Sequence, residues 1–170
     1  VVCVNWLCVV LLLIRCSVAR RPTLISGASL HLVLDKEVRV MPERLLAWMV
    51  DRGITLSFLT TQLCEAVLEE QYPPGLRLRV LYTGGDKLHR GPRVGAPFKL
   101  VNIYGPTENT INSTMTEVPA GLTVPPPIGS PVPRTQCYIL DAHMQPVPCG
   151  VFGELFLAGK QLFRGYFRRT

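Results

Sequence analysis

The stretch Asn102-Ile-Tyr-Gly-Pro-Thr-Glu-Asn-Thr-Ile111 decides how this chain is read. Upstream of it, the largely apolar run from Phe98 to Ile103 predicts a buried strand. Gly105-Pro106 then breaks the strand with a strong turn signal. A hydroxyl, Thr107, and a carboxylate, Glu108, follow the turn at once. A stiff strand that ends in a tight turn holds an aromatic ring, a hydroxyl and a carboxylate at fixed spacing. That arrangement suits a nucleotide and its metal. Tyr104 can cover a base, Thr107 can donate to a phosphate, and Glu108 can ligate Mg²⁺ through oxygen, the donor that hard cations prefer. Spacing alone leaves the plainer alternative open and makes it the default: an ordinary strand-end turn with a solvated Glu108.

Further motifs follow in register. They are Pro127-Ile-Gly-Ser-Pro131, Cys137-Tyr-Ile-Leu-Asp141, Gln145-Pro-Val-Pro148, Gly153-Glu-Leu155 and Arg164-Gly-Tyr166. With Tyr104-Gly-Pro-Thr-Glu-Asn-Thr110 they give a chain that resembles the adenylate-forming enzymes. Within that superfamily it is most similar to the amino-acid adenylation domain of nonribosomal peptide synthetases. Acyl-CoA synthetases and luciferases usually carry another residue at the proline position. The resemblance runs from about Leu24 to Phe167.

Composition agrees and excludes little. A chain of 170 residues with 48% hydrophobic and 18% charged residues is globular rather than disordered. The net charge of +6 is modest and its basic residues are scattered, with the densest groups (Arg15, Arg20, Arg21; Arg164, Arg168, Arg169) near the ends. No nucleic-acid partner is expected, since none of the known binding motifs is present. The six cysteines have neither CxxC nor zinc spacing and are read as reduced, buried thiols. His31, His89 and His143 lie far apart and are read as surface or strand-edge residues.

The N-terminal residues depart from the family pattern. Val1 to Ile14 is almost wholly apolar and is followed by Arg15 and Arg20-Arg21-Pro22. As a secretory signal it lacks a basic n-region and a small-residue cleavage site. As a membrane span it is short of the ~20 residues needed. The resemblance implies an Asp that holds the substrate amino group, then a Ser-Val-Trp-Glu-like run, before Ser26-Gly-Ala-Ser-Leu30. The chain has Arg15-Cys-Ser-Val-Ala-Arg-Arg-Pro22 instead. Residues 1–22 are therefore expected to be an anomalous apolar segment, from a frame error, intron translation or degenerate amplicon end.

Beyond Thr23 the pattern is regular. Leu30–Val33 predicts a strand. Pro42–Asp51 predicts a helix, with Pro in the first turn and Gly53 as its stop. Ile54–Leu59 predicts a buried strand, and Thr60-Thr61 a cap for a helix over Gln62–Glu70. Leu76–Tyr82 alternates apolar residues with Arg, as a strand with one wet face or at an edge does. The family's helix between Gly85 and Pro97 is not expected here, because the segment is rich in breakers. Residues 23–112 thus read as an α/β layer with a parallel sheet. Pro119–Pro133 is Pro-rich and extended, Gln136–Asp141 and Gly153–Ala158 predict strands, and residues 113–170 read as a β-rich portion. The fold class is α/β, a piece of the large N-terminal domain of an adenylate-forming enzyme, incomplete at both ends.

The resemblance implies adenylation. An amino-acid carboxylate is joined to the α-phosphate of ATP, pyrophosphate leaves, and the aminoacyl adenylate passes to a phosphopantetheine thiol on a partner carrier domain. Mg²⁺ and oriented donors offset the repulsion between the two anions. Thr83-Gly-Gly-Asp86 matches the glycine loop beside the adenine, where the family more often has Glu than Asp86. Only glycine lets backbone approach a flat ring closely, although Gly84-Gly85 alone reads as a plain strand-end turn. The implied nucleotide-binding residues are Gly84, Gly85, Asp86, Tyr104, Gly105 and Thr107, with Thr107 and Glu108 catalytic and Glu108 the Mg²⁺ ligand. Gly153-Glu-Leu155 and Arg164-Gly-Tyr166 are read as architectural, and Lys160-Gln-Leu-Phe163 replaces the family's small residues between them.

The substrate-pocket positions match Phe58, Tyr82, Gly84, Ile103, Ile111 and Asn112. Four of these form an apolar wall and Gly84 leaves depth, which favours an apolar amino acid over a charged one, because an unpaired buried charge is costly. In isolation each reads as an ordinary core residue. The Ser/Thr-Gly-Thr-Pro-Lys-Gly phosphate loop, the Tyr-Arg-Thr-Gly-Asp run and the lid lysine of the family do not occur in these residues. The isolated segment is expected to be inactive and to lack the sheet's first strands. Carrier and condensation domains of the same megasynthase are the expected partners, with no membrane partner and a cytoplasmic location. The alternatives are an acyl-CoA or aryl-acid ligase of the same superfamily, or a non-catalytic relative anchored through Val1–Ile14.

Overall fold

The computed structural model describes the backbone of residues 5–8 and all of residues 23–168. The chain forms two compact units: residues 1–102 with 116–127, and residues 103–115 with 128–170.

The first unit is a parallel α/β layer. Its strands are β1 (Asn5–Cys8), β2 (Ser29–Leu32), β3 (Leu56–Thr60), β4 (Val80–Gly84), the first part of β5 (Lys99–Tyr104) and the last part of β6 (Thr114–Val118). They lie in the order β2-β1-β3-β4-β5-β6. β1 pairs in parallel with both β2 and β3, and β3 pairs in parallel with β4. The helices are α1 (Lys36–Val40), α2 (Pro42–Asp51) and α3 (Thr61–Glu69). Of residues 1–22, expected to be anomalous, only β1 lies among the described residues. It stands between β2 and β3.

Each element has a local cause. Asp35 caps α1, its Oδ1 accepting the amides of Glu37 at 2.8 Å and Val38 at 3.3 Å. Pro42 occupies the first turn of α2, where its missing N–H costs nothing. The apolar face of α2 (Leu45, Leu46, Met49) and that of α3 (Cys64, Val67, Leu68) bury against Leu59, Leu81 and Leu100 of the sheet. This core sits on one face of the strands. In β3 and β4 the buried residues Ser57, Leu59, Leu81 and Thr83 alternate with half-buried Phe58, Val80 and Tyr82 on the other face.

The helix over Pro42–Asp51 matches the expectation, and the predicted strands are recovered within one to four residues of their expected starts. The strand expected over Leu76–Tyr82 begins only at Val80; residues 76–79 make isolated backbone bonds, such as Arg79 N to Thr55 O at 2.8 Å. The cap at Thr60-Thr61 also differs in detail. Thr60 supplies the extended cap backbone without a side-chain bond, and the Thr61 hydroxyl is used elsewhere. Residues 85–97 contain no regular element.

The second unit is β-rich, as expected. The 3₁₀ turn Thr107–Asn109 follows the end of β5, and β6 pairs antiparallel with β7 (Ser130–Pro131). β8 (Thr135–Leu140) and β9 (Glu154–Gly159) form an antiparallel ribbon in register from Thr135↔Gly159 to Leu140↔Glu154. Among the described thiols, Cys64 is buried as expected, whereas Cys137 is half-buried and Cys149 is exposed; the side chains of Cys3, Cys8 and Cys16 lie outside the described residues. Among the described residues no helix is long and apolar enough to cross a membrane.

Candidate active site

The candidate residues fall on both units, and each group has its own geometry. In the first unit, Phe58 and Tyr82 stand directly opposite each other across β3 and β4. Both occupy the less buried face of the sheet, and the period of two along β4 puts Gly84 on that face as well. Three of the six expected pocket residues therefore share one surface.

The glycine loop leaves the end of β4 in a left-handed step, with Gly85 at φ +104°, a region that side chains disfavour. The loop is tied to the start of α3. The Thr61 hydroxyl donates to the Asp86 carbonyl and accepts the Asp86 amide, both at 3.2 Å. The Asp86 carboxylate turns back on its own loop and accepts the Lys87 amide at 2.7 Å. Thr61 thus holds the glycine loop in place, a role its sequence position next to a helix start disguised.

In the second unit, Ile103 and Tyr104 end β5 and the chain makes a closed loop over residues 105–112. The Ser113 amide donates to the Tyr104 carbonyl at 2.7 Å and seals the loop's neck. Gly105 sits inside the neck. A Cβ there would run into the Ile111 carbonyl oxygen and lie 2.8 Å from the Ser113 nitrogen. The turn Thr107–Asn109 is pinned from below by fully buried Asn109, whose Nδ2 donates to Ser113 Oγ at 2.8 Å. Thr110 (φ +49°) and Ile111 (φ +80°) then take left-handed conformations. For a β-branched residue such as Ile111 this is a strained state, held by the surrounding bonds.

The loop presents an exposed Tyr104 ring, an exposed Thr107 and a half-buried Glu108. Glu108 is gripped twice from the segment after β9. Its carbonyl accepts the Phe163 amide at 2.8 Å, and its Oε1 accepts the Tyr166 hydroxyl at 2.6 Å. The Tyr166 hydrogen bond, and secondarily a backbone hydrogen bond, holds the Glu108 carboxyl below the usual range. The same bond raises the Tyr166 phenol. Arg164-Gly-Tyr166, read from sequence as architectural, therefore includes a direct partner of the candidate metal ligand. A separation of 58 residues hid that contact.

No group of three or more His, Cys, Asp or Glu suited to a metal occurs among the described residues. A closed protein cage for a metal is absent from them. A single carboxylate with one oxygen already engaged fits Mg²⁺, which is commonly held by one or two carboxylates together with substrate phosphates and water.

The family of AMP-binding enzymes matches residues 14–167. The chain belongs to the AMP-binding enzyme family. A linear gramicidin synthase polypeptide of Brevibacillus parabrevis is 51% identical over 150 residues, which cover 87% of this chain and 3% of that protein. A dimodular nonribosomal peptide synthase of Bacillus subtilis (strain 168) is 42% identical over 151 residues, 86% of this chain and 6% of the relative. This AMP-binding chain thus spans only a few per cent of the length of the curated relatives it matches. The N-terminal subdomain of Klebsiella oxytoca NpsA, solved in complex with 3-hydroxybenzoyl-AMSN, superposes with a TM-score of 0.74 at 23% identity over 96% of this chain and 42% of that one. The fold is that of the NpsA N-terminal subdomain, an α/β class as expected.

Proposed function

We infer that this AMP-binding chain is part of an adenylation domain. That domain activates an apolar amino acid with ATP and hands the aminoacyl adenylate to a carrier-protein thiol in nonribosomal peptide synthesis. The observation that carries the reading is the closed loop at Tyr104–Asn112. It combines a backbone neck that admits only glycine at position 105 with an outward hydroxyl and an anchored carboxylate. An ordinary strand-end turn with a solvated Glu has no need of that construction. The identity to peptide synthetases favours an amino acid over an acyl or aryl acid as substrate.

In the reaction, an oxygen of the amino-acid carboxylate attacks the α-phosphorus, and the bond to the bridging oxygen of pyrophosphate breaks. In the second unit Tyr104 offers its exposed ring to the adenine. In the first unit Thr61 holds still the backbone of the Gly84–Asp86 nucleotide loop. Thr107 donates its hydroxyl to the α-phosphate region. Glu108 would hold Mg²⁺, which supplies charge neutralisation between the two anions. The residues assigned to the substrate side chain are Phe58, Tyr82 and Gly84 in the first unit and Ile103, Ile111 and Asn112 in the second. The partners are carrier and condensation domains of the same megasynthase, with phosphopantetheine on the carrier and a cytoplasmic location.

The test is amino-acid-dependent ATP–pyrophosphate exchange by the full-length protein that contains this chain, against a panel of amino, aryl and fatty acids. Exchange with an apolar amino acid, reduced about 10²-fold or more by Glu108→Gln, is the expected result. Exchange with aryl or fatty acids alone would reassign the substrate class.

A further inference from the structure

We propose that Tyr166 is a positioning residue for Glu108, and that residues 161–166 act as a clasp which aims the Glu108 carboxylate. The proposal rests on the reading of Glu108 as a metal ligand given above.

The argument is geometric. Glu108 is the middle residue of a turn of only three residues, Thr107–Asn109, and its side chain is half-exposed. Left to itself such a carboxylate samples several rotamers, whereas a ligand atom must be held within about half an ångström of its working place. The clasp removes that freedom at three points. The Phe163 amide fixes the Glu108 main chain at 2.8 Å. The Thr110 hydroxyl donates to the Gln161 carbonyl at 2.5 Å and fixes the turn's far end. The Tyr166 hydroxyl fixes Oε1 at 2.6 Å, the short distance typical of an O–H bond to a carboxylate. The phenol is itself set by the Phe163 ring, edge-on at 5.0 Å between centroids and 79° between planes. Gln161 Nε2 in turn donates to the Pro133 carbonyl at 3.2 Å, which ties the clasp to the turn before β8. With Oε1 engaged, Oε2 is the oxygen left to face a cation. A metal ligand is commonly oriented by such an outer partner, and losing the partner typically costs about 10–100-fold in metal affinity.

The experiment measures metal binding directly in the full-length protein. Mn²⁺ serves as the probe, titrated by electron paramagnetic resonance in the presence of a non-hydrolysable ATP analogue. Tyr166→Phe keeps the ring and removes only the hydroxyl. It is expected to weaken Mn²⁺–nucleotide binding about 10-fold while the dissociation constant for the metal-free nucleotide stays unchanged. On a Glu108→Gln background the same substitution is expected to add nothing. Tyr166→Phe binding as tightly as wild type, while Glu108→Gln binds weakly, would overturn the clasp alone. An undiminished Glu108→Gln would overturn the ligand reading beneath it. A full loss of about 10-fold from Tyr166→Phe on the Glu108→Gln background would also overturn the proposal, since Tyr166 would then act elsewhere. If Tyr166→Phe fails to fold, Phe163→Leu replaces it. That variant frees the phenol from its edge-on partner and is expected to weaken Mn²⁺–nucleotide binding in the same direction by a smaller factor; no effect would count against the clasp.

Discussion

The Tyr104 carbonyl and the Ser113 amide, nine positions apart in sequence, meet at 2.7 Å and close the loop that carries the candidate chemistry. The Ser113 carbonyl continues outward and accepts the Val132 amide at 2.9 Å. Thr114, next in the chain, donates its hydroxyl to the Ile128 carbonyl at 2.6 Å. The loop is therefore anchored at its neck, beside the left-handed residues Thr110 and Ile111.

Gly105→Ala tests that neck. The added methyl would collide with the Ile111 carbonyl, which cannot move without breaking the seal at Ser113. Overpacking of this kind typically costs about 1–3 kcal/mol. Pyrophosphate exchange is expected to fall by about 10²-fold or more, because Tyr104, Thr107 and Glu108 all ride on the loop. Exchange kinetics with denaturant melts of the full-length protein measure both effects. Activity near wild type would mean that the loop's closure is incidental.

Phe58→Ala tests the apolar wall. Phe58 faces Tyr82 across β3 and β4 on the half-buried side of the sheet, away from the core of Leu59 and Leu81. Truncation there opens space beside the substrate without emptying the core. Preference should move toward larger apolar amino acids, at roughly 1–3 kcal/mol of discrimination per methylene-sized change. The KM for ATP should stay within about two- to threefold, and exchange assays over a size series of amino acids read the shift. An unchanged profile would return Phe58 to an ordinary packing role.

Leu81→Ala tests the core from the opposite face. Leu81 is fully buried in β4, among Leu59, Cys64 and Leu100. The expected loss is about 2–5 kcal/mol, the range for buried Leu truncation. Denaturant midpoints measure it. A loss below about 1 kcal/mol would mean that the helix layer is loosely packed on the sheet.

Much of the fold was legible because local signals were strong. Pro42 and Gly53 bracket α2, and the apolar positions of α3 repeat at helical spacing. The strand that ends at Tyr104 announces itself by an apolar run and Gly105-Pro106. The misses have physical reasons. Leu76 to Arg79 alternate as a strand does, but their backbone bonds reach isolated partners such as Thr55 and no ladder forms. β6 carries Thr and Glu at Thr116 and Glu117, so its pattern did not stand out, although its buried end residue Val118 joins the core. Within the site, residue identities were readable and long-range contacts were not. Thr61 to Asp86 spans 25 positions and Tyr166 to Glu108 spans 58, and no periodicity encodes either pairing.

Cys64 supplies a pH prediction independent of the site. It is fully buried in α3, and burial drives its thiol from 9.0 up to about 12. Well below 9.0 the thiol is neutral in folded and unfolded chains alike, so it contributes no pH dependence there. Between 9.0 and about 12 the unfolded chain releases the proton and the folded chain keeps it, so stability falls as pH rises through that window. Cys64→Ala should flatten that part of the alkaline slope, measured by denaturant melts from about pH 8 to about pH 10.5. In the native protein near pH 8, iodoacetamide should label exposed Cys149 readily and leave Cys64 untouched until denaturant is added. Peptide mass spectrometry separates the two sites, and equal labelling of both without denaturant would show that α3 opens far more readily than its packing implies.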